Sequence, residues 1–98
     1  MSRSLIERRL TAVTDRLRRA RQELAVLDEQ LAALVDVADD ARIRALVSET
    51  PLADKEHQDA QRHADALGRS RTAMVDTIAE LERAQDELLD RLVVPGSI

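Results

Sequence analysis

The chain has 98 residues, no Cys, no aromatic residue and a formal net charge of −4. This length allows a single domain, the lack of Cys excludes disulfides and thiol chemistry, and no apolar run reaches the roughly 18 residues that a membrane span needs. Abundant Ala, Leu, Glu and Arg beside only two Gly and two Pro is typical of long helices or a coiled coil. From this composition we expect an all-α protein. The first residues lack an apolar secretion signal, so we expect it to be cytoplasmic.

The first predicted element is a helix over about residues 5–47. "SLIE" has the spacing of a capping box from Ser4 to Glu7, which would start this helix. Apolar residues then recur at alternating spacings of four and three without interruption, which is the seam of a coiled coil. The seam residues are Ile6, Leu10, Val13, Leu17, Ala20, Leu24, Leu27, Leu31, Leu34, Ala38, Ala41 and Ala45.

A tight turn is predicted near residues 48–50, within "VSETPLADKEH". Pro51 suits the first position of a helix and is costly inside one. Thr50 precedes it and can cap the new helix through its hydroxyl group. We therefore interpret this stretch as a helix-to-helix connection, neither a domain linker nor an active-site loop.

The second predicted helix covers about residues 51–93, and residues 95–98 are predicted to be a flexible tail. The residue number of each seam position in this helix adds to 98 with that of a seam position in the first helix, as for Leu17 and Leu81. An antiparallel pairing requires such a constant sum. The sequence thus predicts one domain over residues 1–94, a two-helix antiparallel coiled-coil hairpin that can dimerise into a four-helix bundle. A helix-swapped dimer shares the same seam. The seam residues of the second helix are Ala53, His57, Ala60, Ala64, Leu67, Arg71, Met74, Ile78, Leu81, Gln85, Leu88 and Leu92.

Three seam positions of the second helix are polar, namely His57, Arg71 and Gln85, and they stand fourteen residues apart. Polar seam residues fix the register of a coiled coil at some cost in stability. Arg71 can lay its aliphatic stem across the seam and place its charge near Asp28 or Glu23. We hypothesise that this residue sets the register.

Apolar residues outside the seam concentrate near the turn, where the seam itself is built of alanines. Surplus apolar surface of this kind indicates a binding face, and we predict that it contacts a partner through Val35, Val37, Ile43, Leu46, Val47 and Leu52.

A second feature is a stripe of mostly small residues that permits close helix approach. We predict self-association through this stripe, which comprises Ala25, Ala32, Gly68, Thr72, Val75 and Ala79.

Charge is unevenly distributed along the chain. Residues 1–21 hold seven Arg against one Asp and one Glu, whereas residues 76–91 hold six acids against two Arg. In an antiparallel hairpin these segments lie side by side, so we interpret the N-terminal arginines as partners of those acids. No aromatic residue is present to stack on a base, and we expect no direct nucleic-acid binding.

The same residues give no sign of catalysis. The chain has no HExxH motif and no phosphate-binding glycine loop. We also expect no deep pocket, because a two-helix hairpin does not enclose one. His57 and His63 lack the further ligands that a metal site needs. We expect no enzymatic activity, cofactor, metal or small-molecule substrate, and no contact with a membrane.

Three stretches, "LAVLDEQLA", "ALVSETPLADKEH" and "QDELLDRL", resemble those of small coiled-coil hairpin proteins of high-GC Gram-positive bacteria. This resemblance spans nearly the whole chain and implies the hairpin fold without an activity. "DKEHQDA" is similar to the acidic tip of the N-terminal hairpin of Gre-type transcript-cleavage factors, which enters RNA polymerase, although their "GDLxENAEY" signature is missing here. That likeness would make Asp54, Glu56 and Asp59 tip acids.

The sequence therefore favours a non-enzymatic interaction or assembly module that self-associates or docks on another protein through its hairpin tip. The alternative is a small regulator of a nucleic-acid machine, RNA polymerase or the ribosome, that uses the acidic tip.

Overall fold

The computed structural model describes residues 2–92, and within them the chain forms two α-helices and no strand. α1 spans Arg3–Ser48 and α2 spans Pro51–Leu92. Neither helix in this range is long and apolar enough to cross a membrane. The predicted end of the second helix at residue 93 and the predicted tail at residues 95–98 lie outside the described residues.

The start of α1 differs from the predicted capping box. Ser2, rather than Ser4, caps the helix, because its Oγ accepts a hydrogen bond from the Leu5 N–H at 3.2 Å. Glu7 does not reach back to the cap, and its carboxylate instead accepts from Arg3 Nε at 3.0 Å, one turn away. Both serines can serve as caps, and the earlier one adds two residues to the helix together with this Arg3–Glu7 pair.

The turn lies at the predicted residues and each helix end has a hydrogen-bonded cap. Glu49 ends α1 in the left-handed region with a φ of 50°, and its N–H donates to the Ala45 carbonyl at 3.1 Å. Thr50 caps α2, since its Oγ1 accepts from the Ala53 N–H at 3.2 Å. Pro51 then occupies the first helical position, where its missing N–H costs nothing.

The two helices pack in two compact units. Unit 1 joins the described residues up to Glu23 with those from Met74 onward, and unit 2 is Leu24–Ala73. In each unit a segment of α1 packs against a segment of α2 that runs in the opposite direction. The predicted antiparallel helical hairpin is therefore confirmed.

The predicted seam is the buried side of both helices. All twelve seam positions of α1 and all twelve of α2 are buried or half-buried. Residues outside the seam are mostly exposed, as expected when each helix has only one neighbour. The alternating spacing thus identified the packing face correctly along the entire described length of both helices.

The two units have different cores. In unit 1 the buried residues include Leu17, Ile78, Leu81 and Leu88, with Leu17 only 2% exposed. In unit 2 every buried apolar residue is an alanine, namely Ala38, Ala41, Ala45, Ala53 and Ala64. Burial contributes about 0.8 kcal/mol per methylene, so each alanine contributes roughly 2 kcal/mol less than a buried leucine would. Unit 2 is consequently the weaker unit.

Two of the polar seam residues form hydrogen bonds between the helices. In unit 2, Arg71 Nε donates to Asp28 Oδ1, which confirms one of the two partners expected for this arginine. In unit 1, Gln85 Nε2 donates to Thr14 Oγ1 at 3.2 Å. Both contacts link residues far apart in sequence, so they are suited to fixing the register.

Candidate protein-interaction surface

The six apolar residues predicted to bind a partner are all exposed, and all belong to unit 2. We call them the tip surface. Val47 is 80% exposed, and Leu46 and Leu52 are each 67% exposed. The other three members, Val35, Val37 and Ile43, have between 43% and 52% of their area exposed.

The tip surface is not one continuous patch. Ile43, Leu46 and Val47 are spaced by three and four residues, so they lie together on the last turns of α1. Val35 and Val37 are two residues apart and therefore point to different sides of the helix. The structure accordingly groups the residues nearest the turn and leaves Val35 and Val37 apart from them.

Val35 borders an open groove between the two helices of unit 2. The groove has a volume of about 550 Å³ and is lined by Leu31 and Val35 on α1 and by residues of α2 that include Ala64, Gly68 and Thr72. A Cβ built on Gly68 would meet nothing within 4 Å. Packing within the chain therefore does not require a glycine at this position, and its bare backbone helps to keep the groove open.

The predicted self-association stripe is divided between the units. Ala25, Ala32, Gly68 and Thr72 belong to unit 2, where Gly68 is half-buried and the others are exposed. In unit 1, Val75 is exposed and Ala79 is half-buried. The Thr72 hydroxyl donates to the Gly68 carbonyl at 3.1 Å, so it is occupied within its own helix. The role of the stripe in self-association stays a prediction.

The three predicted tip acids are exposed but do not converge. Asp54 lies in the first turn of α2. Glu56 and Asp59, three residues apart, share another side of the helix that points away from Asp54. Asp59 approaches Arg62 of the same helix at 3.6 Å. Over residues 2–92 no group of three potential ligands is placed to hold a metal ion.

The N-terminal arginines differ in their partners. An ion pair joins the two helices of unit 1, from Arg21 to Glu82 at 3.9 Å. Arg3 and Arg18 pair with acids of α1 instead. Three further arginines are exposed and form no ion pair with any residue from 2 to 92, namely Arg8, Arg16 and Arg19.

Sequence reasoning did not foresee either the groove at Gly68 or these unpaired arginines.

Comparison with known proteins adds no functional assignment. No protein-family model matches the chain, and neither a curated protein nor a solved structure is significantly similar to it. The fold and the surface therefore define the class of protein, an antiparallel helical hairpin with exposed apolar residues at its turn.

Proposed function

We propose that this protein is a non-enzymatic, cytoplasmic interaction module that docks on a second copy or on another protein through its tip surface. The observation that carries the proposal is the distribution of apolar residues in unit 2. Its buried residues are all small, whereas its large off-seam apolar residues near the turn are exposed.

Beside the turn, this distribution is the reverse of what a self-sufficient helix pair needs. A hairpin stabilised only from within would continue its large seam residues up to the turn. Unit 2 instead has alanines in the seam beside the turn, and its seam leucines lie farther from the turn and are only half-buried, namely Leu24, Leu27, Leu31, Leu34 and Leu67. Single exposed apolar residues are ordinary on protein surfaces, but a cluster beside a weak core is typical of a binding face. Covering Leu46, Val47 and Leu52 would remove apolar area from water and stabilise the weaker unit.

The partner of this surface should combine an apolar cleft with positive charge opposite the start of α2, whereas exposed Arg42 and Arg44 make the end of α1 basic. Three acids follow the turn closely on α2, namely Asp54, Glu56 and Asp59, and all are exposed. Complementary charge at the rim of an interface accelerates binding and selects partners. The same acids support the alternative, a regulator of RNA polymerase or the ribosome, because an acidic tip is the feature that such a regulator would use.

The solution mass tests whether the tip surface joins two copies. Sedimentation at low micromolar concentration should compare the wild type with Val35→Glu plus Leu46→Glu. A matched control is Leu89→Glu plus Ser70→Glu, which adds the same charge away from the turn and replaces a leucine that is as exposed as Val35, at 43%. If the tip surface joins two copies, the first variant is a folded monomer and the control associates like the wild type.

The dependence on salt separates the main proposal from the alternative. Binding that rests on apolar burial should survive 0.5 M salt, because screening acts on charge. Binding that rests on the tip acids should weaken with salt and with Asp54→Asn plus Glu56→Gln. A partner complex insensitive to Leu46→Glu and abolished by these acid substitutions would favour the regulator.

A further inference from the structure

Within unit 1, each helix has an outward side that points away from the seam. Three residues on each helix stand there at intervals of seven, each two places after a seam residue, and two helical steps of about 100° turn a side chain to the opposite side. All six are exposed. They are Arg8, Asp15 and Gln22 on α1, which we call the α1 edge, and Asp76, Arg83 and Asp90 on α2, which we call the α2 edge.

The charges on these edges are largely unpaired within the chain. Arg8, Asp76, Arg83 and Asp90 form no ion pair with any residue from 2 to 92. Asp15 approaches Arg18 of its own helix at 4.0 Å, and both side chains are more than half exposed. Exposed pairs of this kind contribute little free energy, so both edges can bind charges of another molecule.

The two edges match in charge when the α1 edge of one copy runs antiparallel to the α2 edge of another. Each α1 residue then faces an α2 residue whose number adds to 98 with its own, so a single register within unit 1 makes every contact. Two of the three pairs join opposite charges, and in the third a side-chain amide can donate to a carboxylate. The pairs are Arg8 with Asp90, Asp15 with Arg83, and Gln22 with Asp76.

We propose that unit 1 binds a second copy of this chain edge to edge, with the α1 edge of one copy against the α2 edge of the next. The two edges lie on opposite sides of the helix pair, so the contact is head-to-tail and leaves a free edge at each end. Head-to-tail contacts that do not close produce an open assembly rather than a dimer. The expected assembly is a row in which each added copy repeats the same contact.

Charge excludes the neighbouring registers. Because edge residues recur every seven positions, the nearest alternatives are shifted by one heptad. One shift sets Arg8 against Arg83, and it also sets Asp15 against Asp76. The other shift sets Asp15 against Asp90. Facing like charges destabilise a contact, so the register with a sum of 98 is favoured over both neighbours.

The residues beside the two edges are complementary as well. Those beside the α1 edge are three arginines and one acid, whereas those beside the α2 edge are three acids and one arginine, and all are exposed. In the antiparallel alignment Arg19 comes level with the second copy's Glu80 on the same flank. A parallel alignment would separate these two residues by about 10 Å along the helix axis. The flanking residues are Arg16, Arg18, Arg19 and Glu23 on α1, and Glu80, Asp86, Glu87 and Arg91 on α2.

The edge contact is weak and sensitive to salt. It consists of exposed charges, whose pairs contribute little individually and are screened by salt. Glu23 approaches the second copy's Asp76, and Asp15 approaches the second copy's Asp86, which limits the affinity further. The row therefore forms at high protein concentration and low salt, or where a partner already holds several copies close together.

This inference goes beyond the proposed function because the edges include no residue of the tip surface. Each copy in a row keeps its own tip surface, so the row offers a partner several identical binding surfaces at once. The inference also gives partners to Arg8 and Arg19, which are unpaired within the described chain, without a nucleic acid.

Crosslinking between introduced cysteines tests the contact directly, since the chain has no Cys of its own. A mixture of Gln22→Cys chains and Asp76→Cys chains, treated with a short bismaleimide at low salt, should give a covalent dimer. Either variant alone should give none, because a head-to-tail contact never brings two copies of one position together. The matched control is Gln22→Cys mixed with Asp90→Cys, which is linked only if the edges run parallel.

Charge exchange tests the register at constant net charge. Arg8→Asp plus Asp15→Arg keeps the net charge at −4 but sets like charges against the wild-type α2 edge. We expect its association to be weaker by on the order of 10-fold at low salt. Adding Arg83→Asp plus Asp90→Arg to the same chain should restore wild-type association. Sedimentation measures these species, with circular dichroism to confirm that each variant is helical.

Leu46→Glu separates this inference from the proposed function, since it alters the tip surface and leaves both edges intact. The crosslinked dimer should form equally well in this background, and its loss would place self-association at the tip surface instead. The inference is overturned if Gln22→Cys and Asp76→Cys chains are not linked at ~1 mM, where even millimolar affinity populates a complex. A product from the Asp90→Cys control, or a four-substitution chain that does not regain association, overturns it as well.

Discussion

Replacing Leu17 by alanine should unfold the hairpin far more readily than the same change at Leu46. Leu17 is the most deeply buried large side chain in the described chain, with 2% of its area exposed, and the seam places it opposite Leu81. Truncating a buried leucine removes its transfer free energy and leaves a cavity, at a cost of about 3 kcal/mol. Leu46 is 67% exposed, so its truncation should cost less than about 1 kcal/mol. Helix propensity changes equally in both variants and cancels in the comparison.

Urea titration followed by circular dichroism at 222 nm measures the difference. With a slope of about 1.5 kcal/mol per molar urea, the Leu17→Ala midpoint should fall by roughly 2 M relative to wild type. All titrations should use one low protein concentration, because self-association raises apparent stability. Equal losses at both positions would refute the reasoning, since they would show that Leu46 is as buried in solution as Leu17.

Four further outcomes follow from local geometry. Gly68→Ala should raise the free energy of unfolding by about 1 kcal/mol, because the added methyl meets no neighbour and alanine favours the helix; a loss of stability would show that something occupies this position. Thr50→Ala should cost about 1 kcal/mol in the same titration, and Thr50→Ser, which keeps the capping hydroxyl, should cost little. Glu49→Gly should stabilise by roughly 0.5–1 kcal/mol, since glycine adopts a φ of 50° without strain, whereas Glu49→Val should destabilise. Hydrogen exchange of backbone amides should be faster in unit 2 than in unit 1, and uniform protection would contradict the assignment of a weaker unit.

The hairpin was predictable because its seam is long and regular. Spacing alone placed every seam residue on the buried side, since residues three and four positions apart lie on the same face of a helix. Pro51 and Thr50 located the turn for a separate reason, namely that proline lacks an N–H and threonine can supply the missing acceptor. Two independent signals therefore agreed on the position of the turn, and the structure places it at Glu49 and Thr50.

The start of α1 and the surface contacts were harder to predict. Ser2 and Ser4 are both good caps, and caps differ by only about 1 kcal/mol, so pattern could not decide between them. Exposed ion pairs contribute still less, and their partners depend on side-chain conformations that sequence does not specify. The sequence therefore could not show that Arg21 pairs with an acid of α2, whereas Arg3 and Arg18 pair with acids of α1.

The candidate surface was predictable in composition but not in arrangement. The six tip-surface residues are exposed as expected, because they fall outside the seam. Their grouping depends on both the rotation and the rise of the helix, since Val35 and Leu46 point to nearly the same side but are separated by about 16 Å along the helix axis. The groove at Gly68 forms from residues of both helices, and no pattern within one helix could indicate it.

Site-specific photocrosslinking in living cells tests the central claim, that the tip surface binds a protein. A photoreactive phenylalanine derivative placed at Val47 should give a defined protein adduct, and adding Leu46→Glu should abolish it. The same probe at Leu89, which is exposed but lies in unit 1, is the control and should give no such adduct. A tip adduct that forms equally well with Leu46→Glu, or no adduct at all from position 47, would contradict the account.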